Sequence, residues 1–257
     1  MNGLRRHPLR VITRLLRLAA AILVALLDYL FRCAFCRPDD KPTVRAPWLQ
    51  RASRRVLRLF QFETQTAGPV PSRGLLISNH LSYLDVLVLS SLTPAVFVSK
   101  HDVKFWPVFG QLAVLGGTVF VNRERRFQVG EVNDEITTAL KQGALVVLFP
   151  EGTSSNGQDI LPFKSSLLEP ATNPVWPLAV GWIHYEIDDG DARNEVCYWG
   201  DHTFFPHMLN LLSKRRVRAT VRFRQFSSRI GDRKELAHRL RGEILKLKEK
   251  SGAHSRT

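Results

Sequence analysis

A chain of 257 residues with 44% hydrophobic side chains is long enough for one sizeable domain and too apolar to be disordered throughout. Three cysteines are too few for a disulfide-stapled secreted fold. Lys and Arg outnumber Asp and Glu by 37 to 23, a formal net charge of +14, which points to anionic partners. Acidic lipid, an acidic substrate and nucleic acid are the candidates. The aromatic residues are not interleaved with basic ones as a stacking platform, and no zinc-finger or RNP signature is present, which argues against nucleic acid.

The chain opens on Arg5, Arg6, Arg10, Arg14 and Arg17, followed by an apolar run over 18–31 that Asp28 interrupts and Arg32 and Arg37 close. A helix crossing a bilayer at right angles needs about 20 apolar residues, so this run is short. Leu15, Leu16 and the stems of Arg14 and Arg17 would extend it by snorkelling. No A-x-A-like cleavage site follows Phe31, which argues against a signal peptide. The segment is expected to be an uncleaved helical membrane anchor, either spanning or lying in one leaflet. A buried helix of a soluble protein is the remaining alternative. Cys33 and Cys36 form a lone CxxC, read as two small apolar side chains and not as a metal or redox site. Pro38, Pro42 and Pro47 mark a connector. Residues 50–61 (QRASRRVLRLFQ) read as a basic amphipathic helix, packed on the domain or facing the membrane.

From about residue 70, short apolar runs alternate with helical stretches. Residues 74–78 predict a strand, 84–92 a helix broken by Pro94, and 95–99 and 118–121 two more strands. Residues 130–142 carry Val132, Ile136 and Leu140 at helical spacing, with Gly143 as a stop. The continuous apolar run 144–149 predicts a strand buried on both faces. Residues 175–180 and 217–223 predict strands, and 232–250 an amphipathic helix with Leu236, Leu240, Ile244 and Leu247 along one side. The alternation predicts an α/β fold: a mixed, mostly parallel central sheet flanked by helices, preceded by the N-terminal hydrophobic helical anchor. Residues 1–60 are expected to hold membrane-associating helices, 61–250 the main domain and 251–257 a disordered tail.

Sites in such folds gather at loops leaving the strands. The loop after 74–78 reads Asn79-His80-Leu81-Ser82-Tyr83-Leu84-Asp85. Histidine is the side chain best suited to take a proton from a hydroxyl near neutral pH, and a carboxylate on its other ring nitrogen fixes the tautomer. Five residues along an ideal helix is a rotation of about 500°. His80 must therefore lie in the turn before the helix and Asp85 in its first turns. Alone, such a pair is equally a satisfied polar contact at a helix start. The run 144–149 ends in Pro150-Glu151-Gly152-Thr153-Ser154-Ser155, which places a carboxylate at a strand end and lets backbone approach a ligand. Taken alone, Glu151 also fits a surface turn. The eight histidines are scattered and show no metal-ligand spacing, so no metal or cofactor is expected.

Together these motifs resemble the 1-acylglycerol-3-phosphate acyltransferase family of glycerolipid enzymes. His80 and Asp85 match its His-x4-Asp motif, and Phe149 to Thr153 its Phe-Pro-Glu-Gly-Thr motif. Gly117, Phe120, Val121 and Arg123 match its intervening Gly-x-x-Phe-(Ile/Val)-x-Arg block, and the strand around Pro177 its final block. The resemblance implies a glycerolipid acyltransferase domain over 61–250. It implies that His80 is the general base on a lysolipid hydroxyl and that Asp85 orients it. The donor implied is the thioester of acyl-CoA or acyl-carrier protein, with no covalent acyl-enzyme, so Ser82 is expected to be structural. Asn79, Arg123, Glu151, Gly152, Thr153 and Ser154 are expected at the acceptor site, with Lys164 either an anion contact or a solvated lysine. The acceptor implied is 1-acylglycerol-3-phosphate, giving phosphatidic acid. The partners implied are anionic membrane lipid, the lysolipid and the donor carrier, at the cytoplasmic face of a bacterial inner membrane. Two departures stand out: Ser154 where the family commonly has Arg, and Asn122 where it often has Asp. An arginine fork grips phosphate and serine cannot. The segments Trp199-Gly200-Asp201 and Pro206-His207-Met208-Leu209 resemble the lyso-ornithine lipid branch of the family, the alternative acceptor. Two other classes remain: a hydrolase using His80 to activate water, disfavoured by the lack of a G-x-S-x-G elbow, and a non-catalytic membrane-binding module, disfavoured by the intact pair.

Overall fold

The computed structural model describes residues 7–33, 41–121, 126–227 and 231–254. Its strands are β1 (Phe62–Ala67), β2 (Gly74–Ser78), β3 (Val96–Lys100), β4 (Val119–Val121), β5 (Leu145–Leu148), β6 (Leu178–Ile187) and β7 (Val217–Gln225). They form one sheet in the order β1-β7-β6-β2-β5-β3-β4. β6 and β7 are antiparallel and the other neighbours parallel. This is the mixed, mostly parallel α/β sheet expected. The helices are α1 (Pro8–Cys33), α2 (Lys41–Leu59), α3 (Leu84–Leu92), α4 (Phe109–Leu115), α5 (Arg126–Lys141), α6 (Ala192–Glu195), α7 (Phe204–Ser213) and α8 (Arg233–His254).

Side chains alternate across a strand, so each central strand feeds two cores. Leu76 of β2 joins Trp48, Leu57, Leu84, Val88 and Leu89, beneath α2 and α3. Leu75 and Ile77 point the other way, onto Val132, Ile136 and Leu140 of α5 and Leu236, Leu240 and Ile244 of α8. A strand with helices on both faces has no polar side, which is why 74–78 and 145–148 are apolar throughout. β2 and α3 form over the residues the pattern predicts. β6 runs past 180 to Ile187 because β7 pairs along it, from Ala179↔Gln225 to Ile187↔Val217.

Two expectations are corrected. Residues 251–254 continue α8 instead of belonging to a tail. The proline connector is partly helix: α2 begins at Lys41, with Pro42 in its first turn, where a missing N–H is tolerated, and Pro47 inside. The helices α1 and α2 pack on the main domain: Ala25 of α1 and Trp48, Leu49 and Leu57 of α2 are part of the main core. Trp48 is 1% exposed and its indole N–H donates to the Ala25 carbonyl at 2.7 Å. The amphipathic side of α2 is thus packed on the domain.

α1 is two-sided in a way the linear pattern hides. Val11, Arg14, Leu18 and Ala25 are buried against the body, while Leu9, Ile12, Leu16, Leu23, Leu27 and Leu30 are exposed. At about 100° per residue these sets occupy opposite sides of the helix. Arg14 does not snorkel. Its guanidinium donates to the carbonyls of Leu212 (3.0 Å), Lys214 and Arg215 (3.3 Å) and to the Gln61 side-chain oxygen (3.3 Å). Arg10 donates to the Ser213 carbonyl at 2.8 Å. These are orphan carbonyls at the C-terminus of α7, where positive charge is favoured. Arg14→Ala is expected to destabilise the fold by about 2–3 kcal/mol, the scale of a charged hydrogen-bond set removed from a buried site. Arg17→Ala, on the exposed side, is expected to move the thermal midpoint little. Equal midpoints for the two variants would contradict the buried-cap account.

Candidate active site

β2 ends at Ser78, and the chain turns through Asn79–Tyr83 into α3. His80 lies in that turn and Asp85 in the first turn of α3, as the spacing requires. The His80 Nδ1–Asp85 Oδ2 distance is 2.7 Å. Because a carboxylate only accepts, Nδ1 carries the proton and Nε2 is left to take one. Oδ2 also accepts from the backbone N–H groups of Leu81 (2.7 Å) and Ser82 (3.1 Å). Oδ1 accepts from the Tyr185 hydroxyl of β6 at 2.7 Å. Asp85 is fully buried, yet each of its oxygens is satisfied; the His80 side chain is 22% exposed. The imidazole stacks on Phe149, centroids 4.3 Å apart and planes 17° apart. The site therefore pairs a fixed carboxylate with a partly open imidazole, which is what removing a proton from a hydroxyl requires.

The loop after β5 braces this turn from behind. Glu151 is 2% exposed. One of its oxygens accepts from His80 N–H (3.0 Å) and the other from Leu161 N–H (3.2 Å). Burial pushes its carboxyl up to about 7, against the lowering effect of those two bonds. Ser155 N–H donates to the His80 carbonyl at 2.9 Å. Asn79 mimics a peptide: its amide donates to the Ile183 carbonyl (3.0 Å) and its oxygen accepts from Ile183 N–H (2.7 Å). Asn79 and Glu151 were expected to touch the acceptor. Both are spent on backbone and hold the His80 turn between β6 and the β5 loop. Gly152 is buried with φ +75°, a left-handed conformation that favours glycine. Thr153 is exposed beside it, and Lys164 is exposed while its N–H bonds the Pro150 carbonyl at 2.8 Å. Arg123 lies outside the described residues.

A third segment closes the site from the other side and was not anticipated in this role. Tyr198 N–H donates to the Leu81 carbonyl at 2.8 Å, and the Ser154 hydroxyl donates to the Tyr198 carbonyl. Tyr198 stands among Tyr83, Trp106, His202 and His207. His207 holds the wall: its Nε2–H donates to the Cys197 carbonyl (3.2 Å) and its Nδ1 accepts from the Tyr83 hydroxyl (3.1 Å). Burial, then His202, depresses its pKa to about 4. A histidine neutral in the fold stabilises it fully above the unfolded value of about 6.5 and loses that contribution as pH falls through about 4. In urea titrations the stability gap between wild type and His207→Phe is expected to shrink by roughly 2–3 kcal/mol between pH 7.5 and 4. A gap independent of pH would contradict this.

Both loops lie inside the stretch 60–181 that matches the Acyltransferase family. A lyso-ornithine lipid O-acyltransferase of Rhizobium meliloti (strain 1021) is 36% identical over 224 residues, covering 76% of this chain and 77% of its own. The chain belongs to the acyltransferase family. A 1-acyl-sn-glycerol-3-phosphate acyltransferase of Neisseria meningitidis serogroup B is 36% identical to this acyltransferase over 137 residues, 52% of this chain and 54% of its own. The crystal structure of the 1-acyl-sn-glycerophosphate acyltransferase PlsC from Thermotoga maritima shares the fold, with a TM-score of 0.68 at 15% identity over 97% of this chain and 98% of that one.

What sequence reasoning missed in the acyltransferase is Tyr185 and the Tyr198–His207 wall. Tyr185 had a weak signal: it falls on the same side of β6 as Ala179 and Ile183, the side facing α3. The expected strand ended before it.

Proposed function

We propose that this acyltransferase moves a fatty acyl chain from the thioester of acyl-CoA or acyl-carrier protein to a lysolipid hydroxyl, with His80 as base and Asp85 as its orienting partner. The observation that carries the reading is the 2.7 Å contact between His80 Nδ1 and a fully buried Asp85. His80 Nε2 takes the proton of the acceptor hydroxyl, and the oxygen attacks the thioester carbonyl. The tetrahedral intermediate collapses with cleavage of the C–S bond, and the imidazolium returns its proton to the departing thiolate. Ser82 is fully buried, so it is not a nucleophile in this scheme.

For the acceptor, two observations favour lyso-ornithine lipid over the 1-acylglycerol-3-phosphate expected first. Ser154 offers no guanidinium fork, and its hydroxyl is turned to the Tyr198 carbonyl. The Rhizobium relative also aligns over 76% of the chain against 52% for the Neisseria relative. The second reading, formation of phosphatidic acid, is supported by the latter's name. The test offers both acceptors at equal concentration to the purified enzyme with each donor. Preferential acylation of lyso-ornithine lipid supports the first reading. Equal or better turnover of the glycerophosphate acceptor removes it in favour of the second.

The enzyme meets its substrates on an anionic membrane, at the cytoplasmic face where both donor carriers occur. Among the described residues no helix is long and apolar enough to cross a membrane. The outward stripe of α1 instead suits a helix lying in one leaflet. Phe105 (71% exposed), Val108 and Phe205 are further exposed apolar side chains, and Phe109 and Phe204 pack against the Val11–Leu18 cluster. Leu16→Glu with Leu23→Glu is expected to weaken binding to anionic vesicles by at least about tenfold, from the apolar area no longer buried. Binding unchanged by this pair would overturn the interfacial role of α1.

A further inference from the structure

We infer that Tyr185 is a positioning residue of the His80–Asp85 pair: its hydroxyl, donated from β6, sets the orientation and charge of the carboxylate that holds the catalytic imidazole. This rests on the proposed transfer reaction for its catalytic consequence, but not for its physical content. Asp85 Oδ2 faces His80 and two backbone N–H groups of its own turn, all within five residues in sequence. Such a turn fixes one oxygen and leaves the carboxylate free to rotate about it. Tyr185 supplies the second point from 100 residues away, at 2.7 Å on Oδ1. Two anchored oxygens define the plane of the carboxylate and hence the line of its bond to Nδ1.

The donor is itself held. Tyr185 is 3% exposed, packs edge-on to Phe62 at 6.5 Å and belongs to the core beneath α3. Two residues before it, Ile183 is clamped by both ends of the Asn79 amide. β6 therefore grips the catalytic turn twice: Ile183 holds the backbone before His80, and Tyr185 holds the carboxylate after it. A hydroxyl in so dry a place is worth more than one in water, because a buried carboxylate oxygen without a donor has nothing to replace it. Burial and the neighbouring carboxylate keep the phenol protonated. The other titratable side chains around the pair are Tyr83, Cys197 and Glu151; burial pushes the Cys197 thiol up to about 12 and the Tyr83 phenol up as well, while Glu151 titrates near 7.

Removing the phenol hydroxyl leaves Oδ1 bare and concentrates its charge. The pair then takes up its proton at higher pH, whichever of the two residues carries it. A fluorinated tyrosine at 185 is a stronger donor of the same shape and moves uptake the other way. The experiment follows the His80 imidazole by NMR through a pH titration in wild type, Tyr185→Phe and the 3-fluorotyrosine form. It is paired with kcat and KM on the lysolipid acceptor. Glu151 is present in all three and contributes alike. The expected result is a midpoint moved up in Tyr185→Phe and down in the fluorinated protein. With it, kcat is lower by about ten- to a hundredfold in Tyr185→Phe, the scale of one hydrogen bond to a charged group, and KM is within about twofold. Midpoints unchanged in both forms would overturn the role. So would a kcat loss in Tyr185→Phe that multiplies undiminished in a His80→Ala background. If the midpoints move and the wild type transfers no acyl group, the coupling stands and the proposed reaction falls.

Discussion

Replacing His80 by alanine is expected to lower kcat about 10²–10⁴-fold, the usual contribution of a positioned general base. The acceptor hydroxyl then has to lose its proton to water, and among the described residues no other side chain of the site is placed to substitute. Asp85 is fully buried and held by the Leu81 and Ser82 N–H groups and the Tyr185 hydroxyl, and Glu151 has both oxygens accepting from backbone and lies 2% exposed behind the turn. The fold should survive. The bonds that place residue 80 are made by its backbone, N–H to Glu151 and carbonyl from Ser155, and alanine keeps them. What is lost structurally is the stack on Phe149, worth about 1 kcal/mol, and the bond from Nδ1 to Asp85, whose oxygens keep the Leu81 and Ser82 N–H groups and the Tyr185 hydroxyl. KM for the lysolipid should change little, because the imidazole acts on the proton and not on the head group. A variant with normal kcat and an unchanged melting curve would remove His80 from the mechanism.

Asp85→Asn probes the charge of the pair rather than its shape. An amide whose oxygen occupies the Oδ2 place can still accept from His80, Leu81 and Ser82, while its NH₂ meets a Tyr185 hydroxyl able to turn and accept. Geometry is thus largely kept, and the negative charge that stabilises the imidazolium is gone. The expected fall in kcat is about 10²–10⁴-fold, with a loss of stability of about 1–2 kcal/mol from the weakened bonds. Steady-state kinetics with a parallel denaturation curve checks both. Unfolding of the variant would mean that the carboxylate serves the turn more than the reaction. A kcat within threefold of wild type would mean that it serves neither base nor charge. Combined with His80→Ala, the substitution should add almost nothing, since the two act as a unit.

The parts of this enzyme that could be read from its sequence are those whose cause is local. A buried strand between two helical layers is apolar at every position, so β2 and β5 stand out, and Pro94 marks the end of α3. His80 and Asp85 are five residues apart, and helix geometry alone requires the first to precede the helix. Parts whose cause is distant were not legible. β1 (FETQTA) is a polar edge strand that exists because β7 pairs with it from Phe62↔Val217 to Ala67↔Arg222. Asn79 and Glu151 read as ligand-facing because both are polar and both stand in the motif loops. Their actual partners are backbone N–H and C=O groups of other segments, which leave no mark on side-chain pattern. Arg14 looked like a membrane-facing cation until the C-terminus of α7 supplied carbonyls for it. Tyr185 needed the register of β6 against both β2 and β7, which no window of sequence contains.

The measurement that tests the account most directly is transfer of a labelled acyl chain, from acyl-CoA and from acyl-carrier protein, to lyso-ornithine lipid and to 1-acylglycerol-3-phosphate by purified enzyme on anionic vesicles. His80→Ala serves as the matched blank. The account predicts an esterified lipid product formed stoichiometrically with free thiol and absent in the variant. Thiol release with free fatty acid and no lipid product would make the protein a thioester hydrolase. Binding of donor and vesicle with no turnover on either acceptor would contradict catalysis itself.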